Sequence, residues 1–230
     1  MLATHALDAY YGDFQALFGV GIEIGAGEVV AVIGANGAGK STLLRAVTGL
    51  VKARRDAVRF EDEPIGGLPA HEIVGRGIAM VPEGRRLFPS LSVEENLMLG
   101  AYRKRAGPWN LARVYELFPV LGERRRMPGT SLSGGQQQMV AIGRALMSNP
   151  KLLICDEMSL GLAPIVIKDI YDALPTLTRE GITLILVEQD VGLAMRVSNR
   201  LYCLQEGRVS LAGRSGDVTR EQVSAAYFGV

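Results

Sequence analysis

The sequence predicts an α/β fold: a mostly parallel core sheet with an antiparallel β part and an inserted helical subdomain. Three observations predict it. Apolar runs of strand length, Glu28 to Ile33, Leu152 to Cys155 and Thr183 to Val187, alternate with helix-like stretches, the order that builds a parallel sheet covered by helices. The first run passes through a glycine-rich turn into a segment with Leu43, Leu44, Val47 and Leu50 at helical spacing. Between the first and second runs, Pro89 to Ser148 reads as helical.

Each element has a local cause. Glu28 to Ile33 is rich in β-branched residues and bounded by Gly27 and Gly34, so it reads as a strand, followed by a helix from Ser41 to Leu50. Ser92 and Glu95 have the spacing of a capping box that leads into a helix over Asn96 to Tyr102, and a second helix runs from Gln136 to Met147. The later strands follow stretches closed by Pro150 and Gly181 and end in acidic or polar residues. A hairpin around Glu206-Gly207-Arg208 and a helix from Arg220 to Phe228 complete the chain. With no internal repeat, residues 1–230 read as one domain, with the helical subdomain at about 84–148.

Composition narrows the classes of function. A chain of 230 residues that is 48% hydrophobic can bury a substantial core, which excludes general disorder. Its net charge of +1 and 6% aromatic content point away from nucleic acid and from base- or sugar-stacking surfaces. No run approaches the roughly 18 to 20 apolar residues of a membrane span, so the chain is expected not to cross a bilayer by itself. Met1 to Tyr10 lacks a signal-peptide pattern, and Cys155 and Cys203 are too few for a disulfide scaffold, which together suggest a reducing cytosol. His5 and His71 have no partners at zinc-ligand spacing, and the short basic clusters at 52–55, 103–105 and 124–126 read as solvated faces.

Gly34-Ala35-Asn36-Gly37-Ala38-Gly39-Lys40-Ser41 has the pattern of a phosphate-binding loop in its required strand-to-helix setting, with Thr42 next in the helix. Its glycines let backbone N–H groups converge on an anion, Lys40 reaches the β and γ phosphates, and the Ser41 hydroxyl is placed to ligate Mg²⁺. Leu152 to Glu157 is a buried-strand run that delivers two carboxylates at its C-terminal end. Acidic residues also end strands merely to stop them, but beside a phosphate loop Asp156 reads as a Mg²⁺ ligand and Glu157 as the group that polarises the attacking water.

The third motif is Leu132-Ser133-Gly134-Gly135-Gln136, just before the Asp156 strand. With it the chain resembles the ATP-binding cassette (ABC) ATPases, whose signature is this pentapeptide. The resemblance implies an ABC-type nucleotide-binding domain of the P-loop NTPase fold. It implies that Ser133, Gly134, Gly135 and Gln136 meet the γ-phosphate of ATP held by an opposite subunit, so that two cassettes face each other head to tail. It also places Tyr11 against adenine and Gln189 at the switch after the last core strand. The segments Val81 to Pro89, Ser159 to Pro164, Leu186 to Gln189 and Ser224 to Gly229 are similar to the F-type ATP-binding subunit of bacterial branched-chain amino acid importers.

Departures from the general family pattern refine the roles. That pattern has Gln at 83, Asp at 161 and His at 189, where this chain has Glu83, Gly161 and Gln189. Gln189 cannot exchange a proton near neutral pH but can donate a hydrogen bond to the γ-phosphate, which leaves proton handling to Glu157. The resemblance thus gives Glu157, Gln189 and Lys40 as the catalytic set and Ser41, Glu83 and Asp156 as the metal set. Met158 stands where the close subset has Pro, so the turn after Glu157 loses a fixed φ.

The implied function is an ATP-hydrolysing subunit, using ATP and Mg²⁺, that powers import of branched-chain or related amino acids. The implied partners are a second cassette (a copy or a G-type paralogue), transmembrane permease subunits and, indirectly, a solute-binding protein, with no nucleic acid. The implied location is peripheral, on the cytoplasmic side of the inner membrane. The alternatives are a soluble ABC ATPase of another process, an amide or urea importer subunit, and a non-hydrolysing nucleotide module.

Overall fold

A computed structural model describes residues 1–228. The chain divides into two compact units, one made of Met1–Ile73 with Thr183–Val230 and the other of Val74–Ile182. The first segment runs β1 (Leu2–Tyr11), β2 (Phe14–Ile24), β3 (Val29–Ile33), α1 (Lys40–Val47), β4 (Val58–Phe60), β5 (Glu63–Pro64) and α2 (Ala70–Arg76). The second holds β6 (Ile78–Val81), α3 (Val93–Gly100), α4 (Leu111–Leu117), α5 (Pro119–Glu123), α6 (Gly134–Leu146), β7 (Leu152–Asp156), α7 (Pro164–Asp172) and α8 (Leu174–Arg179). The return segment adds β8 (Thr183–Val187), α9 (Val191–Val197), β9 (Arg200–Gln205), β10 (Arg208–Arg214) and α10 (Arg220–Phe228). The tail motif expected at Ser224 to Gly229 falls on α10, except for Gly229, which lies outside the described residues.

In the first unit, β2-β1-β4-β5 form an antiparallel sheet, and a second ladder runs β10-β9-β3-β8. β3 is parallel to both β8 and β9, and every residue of β3 and β8 is buried, which explains why they read as unbroken apolar runs. The predicted hairpin is β9–β10: Glu206 and Gly207 have φ of 46° and 73°, the primed turn that matches strand twist. On one face, α9 and α10 pack Ala194 and Val223 against Ala31, Ile33, Leu201 and Cys203.

The helix expected to reach Leu50 ends earlier, at Val47. Leu50 N–H donates to Arg45 C=O at 2.8 Å and Gly49 N–H to Ala46 C=O at 3.3 Å, with Gly49 at φ 74°. This is a Schellman stop, and it leaves Leu50 63% exposed rather than on the buried stripe.

In the second unit, β6 and β7 are parallel and α6 packs on β6. The capping box is present: Ser92 Oγ accepts from Glu95 N–H at 3.2 Å and the Glu95 carboxylate accepts from Ser92 N–H at 2.8 Å. It starts α3 at Val93, three residues before the expected Asn96, and a 3₁₀ turn over Ala101–Arg103 takes the rest. α3 meets α6 so closely that a Cβ on Gly100 would lie 1.8 Å from the Arg144 carbonyl oxygen.

Candidate active site

The phosphate loop leaves the C-terminal end of β3 and turns into α1. Gly34 has φ 148°, and a Cβ there would lie 2.3 Å from the Leu204 carbonyl oxygen on β9. Gly39, the α1 N-cap, has φ 104° and would bring a Cβ within 2.8 Å of Leu17. Only glycine fits both the dihedrals and the space. Lys40 is 4% exposed, and its Nζ donates to Gly34 C=O at 2.7 Å and Ala35 C=O at 3.1 Å, so the ammonium lies inside the loop it would neutralise a phosphate in. No side chain caps α1, which leaves the first-turn amides around Lys40, Ser41 and Thr42 facing the same space as Lys40.

Two further candidates belong to this unit. Tyr11, at the end of β1, is 43% exposed and its hydroxyl lies 3.5 Å from Thr42 Oγ1 and 3.3 Å from the Arg45 guanidinium. Burial opposes ionisation of the phenol, but hydrogen bonds to Thr42 and Arg45 and the Arg45 charge outweigh it, so its pKa lies below the ordinary 10.0. The parallel register of β3 and β8 runs as far as Val32↔Val187, so Gly34 and Gln189 each follow the last paired position by two residues. Gln189 is exposed, and Asp190 after it caps α9 by accepting from Leu193 N–H at 2.9 Å.

In the second unit the register of β6 and β7 ends at Val81↔Cys155, and Glu83 and Glu157 each follow it by two residues. Asp156 is 5% exposed at the end of β7. Glu157 adopts φ 49°, a left-handed conformation that L residues rarely take. Met158, where a fixed φ was missing, is 1% exposed, so the turn that carries Glu157 is anchored by a buried side chain instead of a proline ring. Gly161 has φ 69°. Among the described residues no three His, Cys, Asp or Glu side chains are grouped to hold a metal on their own. Asp156, Glu83 and the Ser41 hydroxyl are nevertheless hard oxygen donors of the kind Mg²⁺ takes when it completes its shell with phosphate and water.

Ser133 is the N-cap of α6: its Oγ accepts from Gln136 N–H at 3.3 Å, and Gln136 Oε1 accepts from Ser133 N–H at 3.0 Å. The capping role and the signature role are compatible, since the box orients the turn and leaves the Gly134 and Gly135 amides at its tip. Two residues that sequence reasoning missed hold the segment after Glu83. Asn96, fully buried on α3, accepts from Phe88 N–H at 2.9 Å and donates to the carbonyls of Phe88, Leu91 and Ser92. Arg144 on α6 donates to the carbonyls of Arg86 at 2.8 Å and Arg85 at 3.1 Å and lies 5.9 Å from the Phe88 ring centroid. A basic residue inside the buried stretch Met139 to Leu146 was the available signal for Arg144.

A glycine loop with an internal lysine, strand-end carboxylates and a capped Ser-Gly-Gly-Gln helix define a nucleotide-hydrolysing cassette. A family model for ABC transporters matches residues 17–159, and the chain belongs to that family; it is an ABC ATPase, an ATP-hydrolysing transporter subunit. It is 46% identical over 232 residues, covering all of both chains, to the high-affinity branched-chain amino acid transport ATP-binding protein BraG of Pseudomonas aeruginosa. A crystal structure of a nucleotide-free ATP-binding cassette from an ABC transporter matches with TM-score 0.84 and 30% identity, covering 100% of this chain and 95% of that one. A dimeric cassette in a post-hydrolysis state bound to ADP and Pi matches with TM-score 0.82 and 26% identity over 94% of this chain and 99% of that one.

Proposed function

We propose that this chain powers the import of branched-chain amino acids. The observation that carries the reading is the 46% identity to BraG over the full length of both chains, taken with a complete set of nucleotide motifs. The chain pairs with a second cassette, a copy or a G-type paralogue, in the manner of the dimeric cassette it resembles. It docks on transmembrane permease subunits from the cytoplasmic side of the inner membrane, and a solute-binding protein delivers the cargo. Among the described residues no helix is long and apolar enough to cross a membrane, and in this reading the permease subunits form the pore. Residues 1–230 act as one ATPase domain, with the helices at about 84–148 as its inserted subdomain.

In this reading the loop amides of residues 34–42 and Lys40 bind the phosphates, and Tyr11 offers its ring to adenine. Glu157 takes the proton of the attacking water, and Gln189 donates to the γ-phosphate. Ser41, Glu83 and Asp156 would hold Mg²⁺, which would supply neutralisation of the phosphate charge. Ser133, Gly134, Gly135 and Gln136 contact the nucleotide of the opposite cassette, so hydrolysis requires closure of the pair.

The test is reconstitution of the assembled transporter in vesicles with ATP inside the compartment that faces this subunit. Labelled leucine, isoleucine and valine are expected to accumulate only with hydrolysable ATP. Accumulation of amides or urea, with none of the branched-chain amino acids, would replace the cargo assignment. Recovery of the native chain with soluble partners alone would replace the transport assignment.

A further inference from the structure

The segment that follows Glu83 turns in a costly way. Gly84, Arg85 and Arg86 have φ of 74°, 65° and 48°, and Arg86 N–H donates to Gly84 C=O at 2.6 Å, closing a γ-turn centred on Arg85 in the rare left-handed form. Arg144 holds this shape through the carbonyls of Arg85 and Arg86, and burial, which lowers its pKa, leaves it charged. The turn throws the Arg85 side chain onto the start of α6. A Cβ on Gly134 would lie 3.0 to 3.3 Å from Arg85 Nη2, Nη1 and Cζ alike, so the guanidinium lies flat against the glycine. A side chain at 134 would displace the guanidinium by a few tenths of an ångström.

The electrostatics of that position are unfavourable as they stand. The N-terminal end of a 13-residue helix carries partial positive charge, and the Gly134 and Gly135 amides have no acceptor among the described residues. Arg85 is half-buried and its own guanidinium has no acceptor among the described residues either. A cation laid on a helix N-terminus and held by a strained turn is explained if an anion arrives between them.

The geometry points to Arg85 as a further ligand of that anion, the terminal phosphate of a nucleotide held by the second cassette. This rests on the two-cassette reading above, and it extends the contact beyond Ser133, Gly134, Gly135 and Gln136. It also gives the strain in 84–86 a use: the turn positions one charge.

The experiment uses the assembled transporter with Glu157→Gln in this chain to block hydrolysis, and reads closure of the cassette pair from a fluorophore pair as ATP is added. Arg85→Met keeps the packing against Gly134 and removes the charge; it is expected to raise the half-closing ATP concentration about tenfold, with Arg85→Lys in between. ATP binding by the isolated chain, measured by titration, is expected to stay unchanged in both variants. Closure of Arg85→Met at the parent's ATP concentration would overturn the assignment, and so would a loss of ATP binding by the isolated chain. No ATP-driven closure in the Glu157→Gln parent would overturn the two-cassette reading itself and this inference with it.

Discussion

At the scale of single residues, the chemistry is concentrated where local sequence already shows it. Lys40→Ala removes the ammonium that sits inside the loop, and nucleotide affinity measured by titration is expected to fall about 100-fold. Glu157→Gln keeps the size and removes the base, and steady-state phosphate release by the assembled complex is expected to fall at least about 100-fold with ATP binding retained. Asn96→Ala is different: it strips four hydrogen bonds from the 88–92 segment, although the Leu91 and Ser92 carbonyls keep the Gly129 and Asn96 backbone N–H groups as donors. Urea denaturation is expected to show a loss of about 3 kcal/mol with an unchanged slope. The phosphate loop was legible because its residues are contiguous and their types are dictated by what they bind. Arg144 and Arg86, 58 positions apart, were not, since a side chain's partner across the fold leaves no pattern in either neighbourhood. Met158 shows the same limit: a missing proline is visible in sequence, whereas the burial that replaces it is not.

At the scale of elements, close approach and hydrogen bonding decide what each helix tolerates. Gly100→Ala would press a Cβ onto the Arg144 carbonyl, and the expected cost is about 1 to 3 kcal/mol in denaturant midpoints, with the 84–88 segment disturbed through Arg144. Tyr115 on α4 donates to Glu94 on α3 at 3.0 Å. Burial first, then the Glu94 hydrogen bond and charge, raise its pKa to about 12. A raised folded-state pKa gives stability that is complete below the unfolded value of about 10 and lost as pH rises through about 12. The gap in denaturant midpoint between the parent and Tyr115→Phe is therefore expected to shrink between about pH 9 and about pH 12. Parallel strands read well in sequence because both their faces are covered. β1 did not: its buried positions are Leu2 and Thr4, then Leu7 and Ala9, and the irregularity between Thr4 and Leu7, with Ala6 at φ 44°, shifts the alternation by one residue. A period-two reading loses such a strand halfway, so the N-terminal antiparallel sheet was foreseen only as a β part of no fixed place.

At the scale of the whole molecule, the interrupted order of the chain matters most. The unit that carries the phosphate loop is assembled from the two ends of the sequence, 1–73 and 183 onward, and sequence periodicity contains nothing that joins them. Loop and strand β3 lean on partners made much later: Val29 N–H donates to Asn199 at 2.8 Å, Gly34 abuts Leu204, and Gly39 abuts Gly207. During synthesis these partners emerge about 170 residues after the strand itself, which at roughly 5 to 20 residues per second is a delay of about 10 to 30 seconds. A ribosome-bound chain stopped before residue 199 therefore has the complete phosphate-loop sequence without the walls that Asn199, Leu204 and Gly207 supply. Nascent-chain pull-down on immobilised ATP is expected to succeed only once the β9–β10 hairpin has left the exit tunnel.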